Sequence, residues 1–309
     1  MMKSALVSAG GIGDGLLMMV AHRALETLGD VTHFHARYDL LAPLFEGAKM
    51  APHPDSIDAL TSFDLIVLEN DNSERAWEIM RARDRFKKLI VLFPTPCKMM
   101  RDGDVLFSPK KPFASNLVEA MMHLVGRPLS KDNGIKRPQG LYKKHPKRIC
   151  IHPTSADVKR NWHPMQYLKL AQRLSSEGLT PSFTVGADEH SYWRFVEDEG
   201  FELPHFNALD ETAHHIFESG FLIGNDSALG HLASNLAIPT LTISGNPKRV
   251  ALWRPDFAEN TVVTLKVPLP NFKGINLRVR ENFWQPCISV GRVMRSFKKA
   301  YAQSCAAPR

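Results

Sequence analysis

No run of roughly 18–20 apolar residues, the length a bilayer-spanning helix needs, occurs anywhere in the 309 residues. The opening Met1-Met2-Lys3-Ser4-Ala5-Leu6-Val7-Ser8 meets glycine too soon for a secretory leader and reads as a buried first strand. Lacking both span and leader, the protein is expected in the cytoplasm. Cysteine is scarce: Cys97, Cys150, Cys287 and Cys305 lie far apart without a C-x-x-C pair. Neither a disulfide framework nor a zinc site is expected from such spacing. No Gly-Lys-Ser/Thr follows the glycine-rich opening, so a P-loop is excluded. The chain also shows no repeat of fixed period and no low-complexity tract.

What is present is the composition of an ordinary globular protein, 44% hydrophobic and 23% charged, long enough for two domains. The net charge of +7 favours anionic partners: phosphorylated lipid, acidic glycan or nucleic acid. Part of the excess lies between Glu74 and Lys111. There Arg75, Arg81, Arg83, Arg85, Lys87, Lys88, Lys98, Arg101, Lys110 and Lys111 oppose Glu74, Glu78, Asp84, Asp102 and Asp104, a net of +5. This stretch reads either as a solvated face or as an acceptor or membrane surface. Nucleic acid is not expected, because no basic motif is interleaved with aromatics.

Short apolar runs alternate with amphipathic stretches, the pattern of an α/β fold with parallel sheets. Strands are predicted at Ala5–Ala9, Val31–His35, Leu65–Leu68 and Leu89–Phe93, with helices at Leu16–Leu28, Asn72–Arg83 and Asn116–Val125. From Asp132 to Pro146 periodicity disappears, which marks a linker. A second set follows, with strands at Arg148–His152, Pro181–Val185, Phe221–Gly224 and Thr240–Ser244. Its helices are predicted at Met165–Glu177 (closed by Gly178), Ser191–Glu199, Thr212–Glu218, Leu229–Leu236 and, basic and last, Ser289–Ala302. Two such halves carry their natural site in a cleft between them, at loops beyond the strands' carboxyl ends.

Three loops carry chemistry. The first is Gly10-Gly11-Ile12-Gly13-Asp14-Gly15 after the opening strand. A dinucleotide fingerprint fails here, because the third glycine would fall at Leu16 and the next strand ends without an acid. What remains is Asp14 at the mouth of a helix, as helix cap or as a site acid. The second is His152-Pro153-Thr154-Ser155 followed by Asp157-Val158-Lys159-Arg160-Asn161-Trp162, hydroxyls and a cation pair suited to a diphosphate. The third, Gly224-Asn225-Asp226-Ser227-Ala228, turns a strand into a helix whose exposed amides suit an anion. His231, one turn on, shares a helix face with Ser227.

Residues 224–240, Gly-Asn-Asp-Ser-Ala-Leu-Gly-His-Leu-Ala-Ser-Asn-Leu-Ala-Ile-Pro-Thr, resemble the signature of glycosyltransferase family 9, the lipopolysaccharide heptosyltransferases. Gly11-Ile12-Gly13-Asp14, the block from His152 to Trp162, Ser244-Gly245-Asn246-Pro247 and Cys287-Ile288-Ser289-Val290 fit the family's order across nearly the whole chain. The resemblance implies a GT-B fold: two Rossmann-like domains with parallel sheets facing a central cleft. The expected division is 1–140 for the acceptor, 146–286 for the nucleotide sugar, and a final helical segment, 287–309, packing back on the first domain.

It further implies an inverting, metal-independent transfer of a sugar from a nucleotide diphosphate donor such as ADP-heptose. The acceptor would be an anionic glycan or glycolipid, of the lipopolysaccharide core or another glycan. Asp14 matches the catalytic base. Thr154, Ser155 and Lys159 or Arg160 match the phosphate loop, and Glu189 or His190 falls where ribose is gripped. Leu209 lies near the base pocket, Asp226 meets the donor sugar, and Ser227 and His231 flank the diphosphate. Gly11, Gly13, Gly224 and Ala228 supply backbone. Ala228 replaces a usual glycine and Asn246 a frequent proline, both at the donor end. No metal or cofactor is expected, since no D-x-D pair sits in a suitable loop. The basic residues of the last helix allow peripheral contact with the inner membrane. A non-catalytic nucleotide-sugar or glycan-binding protein on the same fold is the alternative.

Overall fold

The computed structural model describes residues 1–265 and 284–306, and the chain divides into two compact units, 1–136 and 137–309. Residues 266–283 and 307–309, which the expected second domain and final segment include, lie outside the described residues.

The first unit is wound on six parallel strands. These are β1 (Met2–Val7), β2 (Gly29–Phe34), β3 (Met50–Ala51), β4 (Leu65–Glu69), β5 (Leu89–Phe93) and β6 (Val105–Leu106), in the order β3-β2-β1-β4-β5-β6. Leu65–Leu68 and Leu89–Phe93 are uninterrupted apolar runs, as strands covered on both faces require. Strand order reverses between β1 and β4, where Val7 pairs with Leu68. The carboxyl ends of those two strands form the topological switch point, where such sheets take ligands.

The second unit has five parallel strands: β7 (His145–His152), β8 (Thr180–Phe183), β9 (Ser219–Asn225), β10 (Thr240–Ser244) and β11 (Asn260–Thr264). Their order is β11-β10-β9-β7-β8. The reversal falls between β7 and β9, with His152 opposite Gly224. A Cβ on Gly224 would lie 2.6 Å from the His152 carbonyl oxygen, so only glycine lets the strands close there. Both sheets are thus parallel and doubly wound, as the sequence pattern predicts.

Helices α1 (Ile12–Glu26), α2 (Tyr38–Leu41), α3 (Glu74–Arg81) and α4 (Phe113–Val125) cover the first sheet. Helix α1 starts four residues before the predicted Leu16, because Gly11 itself is the cap and the glycine loop runs straight into helix. Asp14 is therefore in the first turn. Ser73 caps α3, its hydroxyl oxygen accepting from Ala76 N–H at 3.2 Å. In the second unit come α5 (Pro164–Ser176), α6 (His190–Trp193), α7 (Phe195–Asp198), α8 (Leu209–Phe217), α9 (Ala228–Asn235) and α10 (Pro247–Trp253). Gly178, at φ 76°, closes α5 in the left-handed conformation as predicted. The helix predicted over Ser191–Glu199 is instead two short ones meeting at Arg194, beside Trp193, whose ring stacks on Phe183. Strands β3, β6 and β11 and helix α10 were not predicted. The first two are two residues long and β11 carries polar residues, so none has a readable period.

The aperiodic stretch 132–146 is tied down at both ends. The Asn133 side chain donates to the Leu16 carbonyl at 3.0 Å and Lys136 N–H to that of Leu44 at 2.8 Å. Lys143 and His145 amides donate to the carbonyls of Phe217 and Glu218. Strand β7 starts at His145, three residues earlier than predicted. The last helix, Val290–Ala306, packs Phe297 edge-on against Phe221, and Tyr301 donates to the Pro146 carbonyl. No helix among the described residues is long and apolar enough to cross a membrane.

Six of the ten cations in the basic stretch are paired. Arg81 meets Glu74, Arg83 Asp104, Arg85 Asp58, Lys87 Asp64, Arg101 Asp84 and Lys111 Glu119. Much of that positive charge is therefore locally balanced. The chain's one Asp-x-Asp, Asp102-Gly103-Asp104, is part of this framework. Asp104 takes two bonds of 2.9 Å from Arg83 and also accepts the Val91 and Arg101 amides.

Candidate functional site

Candidate residues gather at the two switch points, one in each unit. In the first, the loop from Ser8 to Gly11 links β1 to α1 and is held by side chains from three neighbouring strand ends. His53 Nε2–H donates to the Ser8 carbonyl at 3.0 Å. Ala9 N–H donates to Glu69 Oε2 at 2.9 Å. His35 Nε2–H donates to the Gly11 carbonyl at 3.1 Å, while its Nδ1 accepts from Arg37 N–H at 2.9 Å. Ser8 Oγ also meets His33 Nε2 at 2.8 Å. Asp14 folds back over the loop it follows: a Cβ on Gly11 would lie 2.3 Å from Asp14 Oδ2. Gly11 thus makes room for the carboxylate.

This corner is rich in buried titratable groups. His22, His33, His35 and His53 form a file with ring centroids 6.1, 6.0 and 6.5 Å apart in that order. Burial is the main force lowering each of their pKa values, and the neighbouring imidazoles deepen the effect on His33. Glu69, 2% exposed, ends an otherwise apolar strand. Burial first, then the charges of Asp14 and Asp71, holds its carboxyl well above the usual range, against the pull of the Ala9 amide.

At the second switch point the hub is Asn225, 2% exposed at the end of β9. Its Oδ1 accepts from Trp162 N–H and Tyr167 O–H, both at 2.9 Å, and its Nδ2 donates to the Pro153 carbonyl at 2.6 Å. One amide thus fixes the loop after β7 to the end of β9. Trp162 pins the same loop from below, donating to the Gln285 and Ile288 carbonyls, while Trp284 Nε1–H donates to the Lys159 carbonyl at 2.9 Å.

Around the hub, the predicted residues fall as follows. Thr154 Oγ1–H donates to Glu189 Oε2 at 2.8 Å, and Gly186 N–H donates to the same oxygen at 3.0 Å. Thr154 and Glu189 are therefore one unit. His190 donates to the Leu203 carbonyl at 3.0 Å. Ser155 donates to Asn161 Oδ1 at 2.7 Å. Of the two cations, Arg160 approaches Asp226 to 3.9 Å, whereas the Lys159 side chain is exposed. Asp226 Oδ2 also accepts from Arg249 Nε at 3.0 Å. Leu209 opens α8, which packs on α9 and β9.

Helix α9 starts at Ala228 with Ser227 as its N-cap residue, and the Ser227 hydroxyl makes no capping bond. Ser227 Oγ and His231 Nδ1 are both buried and have no hydrogen-bond partner among the described residues, while the other nitrogen of the His231 ring donates to the Trp253 carbonyl. Such orphans are costly unless a ligand satisfies them. Burial pushes the His231 pKa down to about 4, with Arg249 helping and Asp226 opposing, so the ring is neutral near pH 7. Two guanidinium groups against one carboxylate, the unsatisfied Ser227 hydroxyl and the first amides of a helix make a site for an anionic group.

Glu69, Asn225, Asn161 and Arg249 escaped the sequence reading. Glu69 and Asn225 carried a signal, as a charge and an amide closing strands that are otherwise apolar. Arg249 carried none, lying 23 residues from the carboxylate it meets.

A family model for glycosyltransferase family 9 (heptosyltransferase) matches residues 119–274. Solved structures align over nearly the full chain. ADP-heptose lps heptosyltransferase II of E. coli is 16% identical, with 99% of this chain and 100% of that one covered at a TM-score of 0.68. E. coli heptosyltransferase WaaC, solved with ADP, is 13% identical over 97% and 100%, with the same TM-score of 0.68. A family 9 glycosyl transferase from Veillonella parvula is 15% identical over 98% and 98%, at 0.67. At these identities the likeness is one of fold, the GT-B type. No curated protein sequence matches the chain.

Proposed function

The chain belongs to glycosyltransferase family 9 and is a glycosyltransferase of the heptosyltransferase type; from that premise we propose that it transfers a heptose from ADP-heptose to a hydroxyl of a lipopolysaccharide-core acceptor, inverting the anomeric centre without a metal ion. The observation that carries the donor half of this reading is the anion site at the start of α9, where two arginines outnumber Asp226 and Ser227 presents an unsatisfied hydroxyl.

In this reading the second unit holds the donor. Arg160, Arg249 and the first α9 amides face the diphosphate and stabilise the charge that grows as the glycosidic bond to phosphate breaks. Arg160 is the cation of the phosphate loop, because it and not Lys159 is turned to Asp226. Ser227 donates to a phosphate oxygen, His231 flanks the diphosphate with an unprotonated Nδ1 that accepts from a donor hydroxyl, and Glu189 binds the ribose while keeping Thr154 in place. The first unit supplies Asp14, which takes the acceptor hydroxyl's proton as the oxygen attacks the anomeric carbon. Fixed cations in the place of a divalent ion are the ground for metal independence. The domain roles follow: an acceptor-binding first half and a donor-binding second half. The reaction would run in the cytoplasm on an acceptor presented at the inner membrane.

Thermal shift against ADP, UDP, GDP and CDP, with and without Mg²⁺, tests the donor assignment. Ligand at about 100 times its dissociation constant adds roughly 2.7 kcal/mol. The expected result is a selective response to ADP that does not need Mg²⁺ and shrinks in Arg249→Ala. A response to another nucleotide alone, or one that requires Mg²⁺, overturns the donor or the metal-free chemistry. ADP release from ADP-heptose that depends on a lipopolysaccharide-core acceptor tests the transfer and excludes the binding-protein alternative.

A further inference from the structure

Asn225 is set between groups that make opposite demands. Trp162 N–H and Tyr167 O–H, both at 2.9 Å, offer hydrogens, while the Pro153 carbonyl at 2.6 Å and Asn161 Oδ1 at 3.5 Å offer oxygens. A side-chain amide has two acceptor lone pairs and two N–H bonds, so every polar position of this residue, 2% exposed, is used. Trp162 N–H can only donate and the Pro153 carbonyl can only accept, which fixes how the amide is turned. An aspartate would face both oxygens with oxygens of its own, and a leucine would leave buried backbone groups unsatisfied. The four partners also have a particular place in the chain. Pro153 and Trp162 are the two ends of one loop, which carries Thr154, Ser155, Lys159 and Arg160 between them. Asn161 extends the tie inward, its Oδ1 accepting from Ser155 Oγ at 2.7 Å. The residue after Asn225 is Asp226, whose Oδ2 lies 3.9 Å from Arg160 and 3.0 Å from Arg249 Nε. One side chain clasps the loop at its base, and its neighbour in sequence meets the loop's cation.

We propose that Asn225 is the positioning residue of the phosphate grip: by clasping the loop 153–162 at both ends, it holds the Arg160 guanidinium at the Asp226–Arg249 pair, ready for the donor diphosphate. The proposal rests on the assignment of that loop to the diphosphate. With its polar positions filled, Asn225 has none left for a ligand and acts through Arg160. A loop closed at its base has fewer conformations to lose when an anion binds, so the ordering is done in folding and not in binding. Tyr167 marks the limit of this role. It donates to the same Oδ1 but lies on α5, outside the loop, so its bond steadies the amide and not the loop's ends.

Calorimetric ADP binding by the full-length protein tests this, with Arg160→Ala, Asn225→Leu and the double variant forming a cycle. Arg160→Ala removes a cation from the phosphate and should weaken ADP by about tenfold. Asn225→Leu, which leaves the charge of the site unaltered, should weaken it by a similar factor. In the double variant the second change should add less than about threefold, because both remove the same interaction. Tyr167→Phe should lower the thermal midpoint yet keep ADP affinity within about twofold, since it loses a buried bond but leaves the loop clasped. In phosphorus NMR at saturating ADP, the bound phosphate signals should move alike in Arg160→Ala and Asn225→Leu and stay in place in Tyr167→Phe. Asn225→Ala carries the same expectations should the leucine variant fail to fold. Wild-type ADP affinity without the amide, losses that multiply in the double variant, or an equal loss in Tyr167→Phe overturns the proposal while the donor site stands. Wild-type affinity in Arg160→Ala takes the loop off the diphosphate, so the donor assignment of Arg160 fails and the proposal falls with it.

Discussion

The two switch points of this protein occupy equivalent places in their sheets and are built by opposite rules. At the first, burial raises the pKa of Glu69 and the charges that add to it are those of acids, Asp14 and Asp71. Burial also keeps four histidines neutral there, two of which, His35 and His53, donate to loop carbonyls. At the second, Asp226 lies between Arg160 and Arg249, and the buried amide of Asn225 has partners on both its oxygen and its nitrogen. A buried carboxyl beside other acids favours its protonated form, whereas a site of fixed guanidinium groups can hold a constant negative charge. On the proposed reading, the contrast separates proton transfer from anion binding.

The sharpest test of that separation is Asp14→Asn. General-base catalysis contributes about 10²–10⁴-fold, so kcat for heptose transfer should fall by that order. ADP affinity, measured by calorimetry, should stay as in the wild type, since every group assigned to the nucleotide is in the other unit. Loss of ADP binding in this variant would break the comparison. The reciprocal substitution, Arg249→Ala, removes a hydrogen bond between charged groups, worth about 1.5–3 kcal/mol. ADP should bind roughly 10–100-fold more weakly, and Arg249→Lys should recover part of the loss by restoring charge without the planar fork. Unchanged ADP affinity in Arg249→Ala would leave Arg249 as a partner of Asp226 alone.

How far the sequence discloses this contrast depends on the range of each signal. The parallel sheets were legible because Leu65–Leu68, Leu89–Phe93 and Phe221–Gly224 are apolar runs bounded by turns, a local pattern. Asp14, Asp226, Ser227 and His231 were legible because the glycine loop and the strand-to-helix turn that carry them are contiguous. The pairing of Arg249 with Asp226 was not, since it depends on α10 following a neighbouring strand and is fixed by sheet order. Glu69 was visible as a charge ending an apolar strand, but its place was not, since that comes from β4 lying beside β1, although β2 is next in the chain. Helix starts at Ile12 and Phe113 were missed by a few residues because Gly11 and Pro112 set them through backbone geometry and not through apolar spacing.

The mildest test uses acid. In the second unit, burial pushes His231 down to about 4 and His215 down to about 3, in the latter case with help from Arg148. Each binds a proton more readily once unfolded, where its value returns to near 6.5. Between pH 6.5 and about 4 the unfolded chain therefore carries more protons at these positions. The stability they allow is fully present above 6.5 and is lost as pH falls, at ~1.4 kcal/mol per pH unit for each histidine. Glu69 acts in the other direction. Its folded value is raised, so the native state is the better proton binder above pH 4.5 and gains from acidification. Denaturant titrations from pH 7.5 to 4.5 should show stability falling towards acid in the wild type. The fall should be shallower in His231→Gln, which removes one titrating ring, and steeper in Glu69→Gln, which removes the opposing carboxyl. Identical slopes in all three would mean that neither switch point titrates as its burial demands, and the contrast between a protonating site and a fixed-charge site would lose its basis.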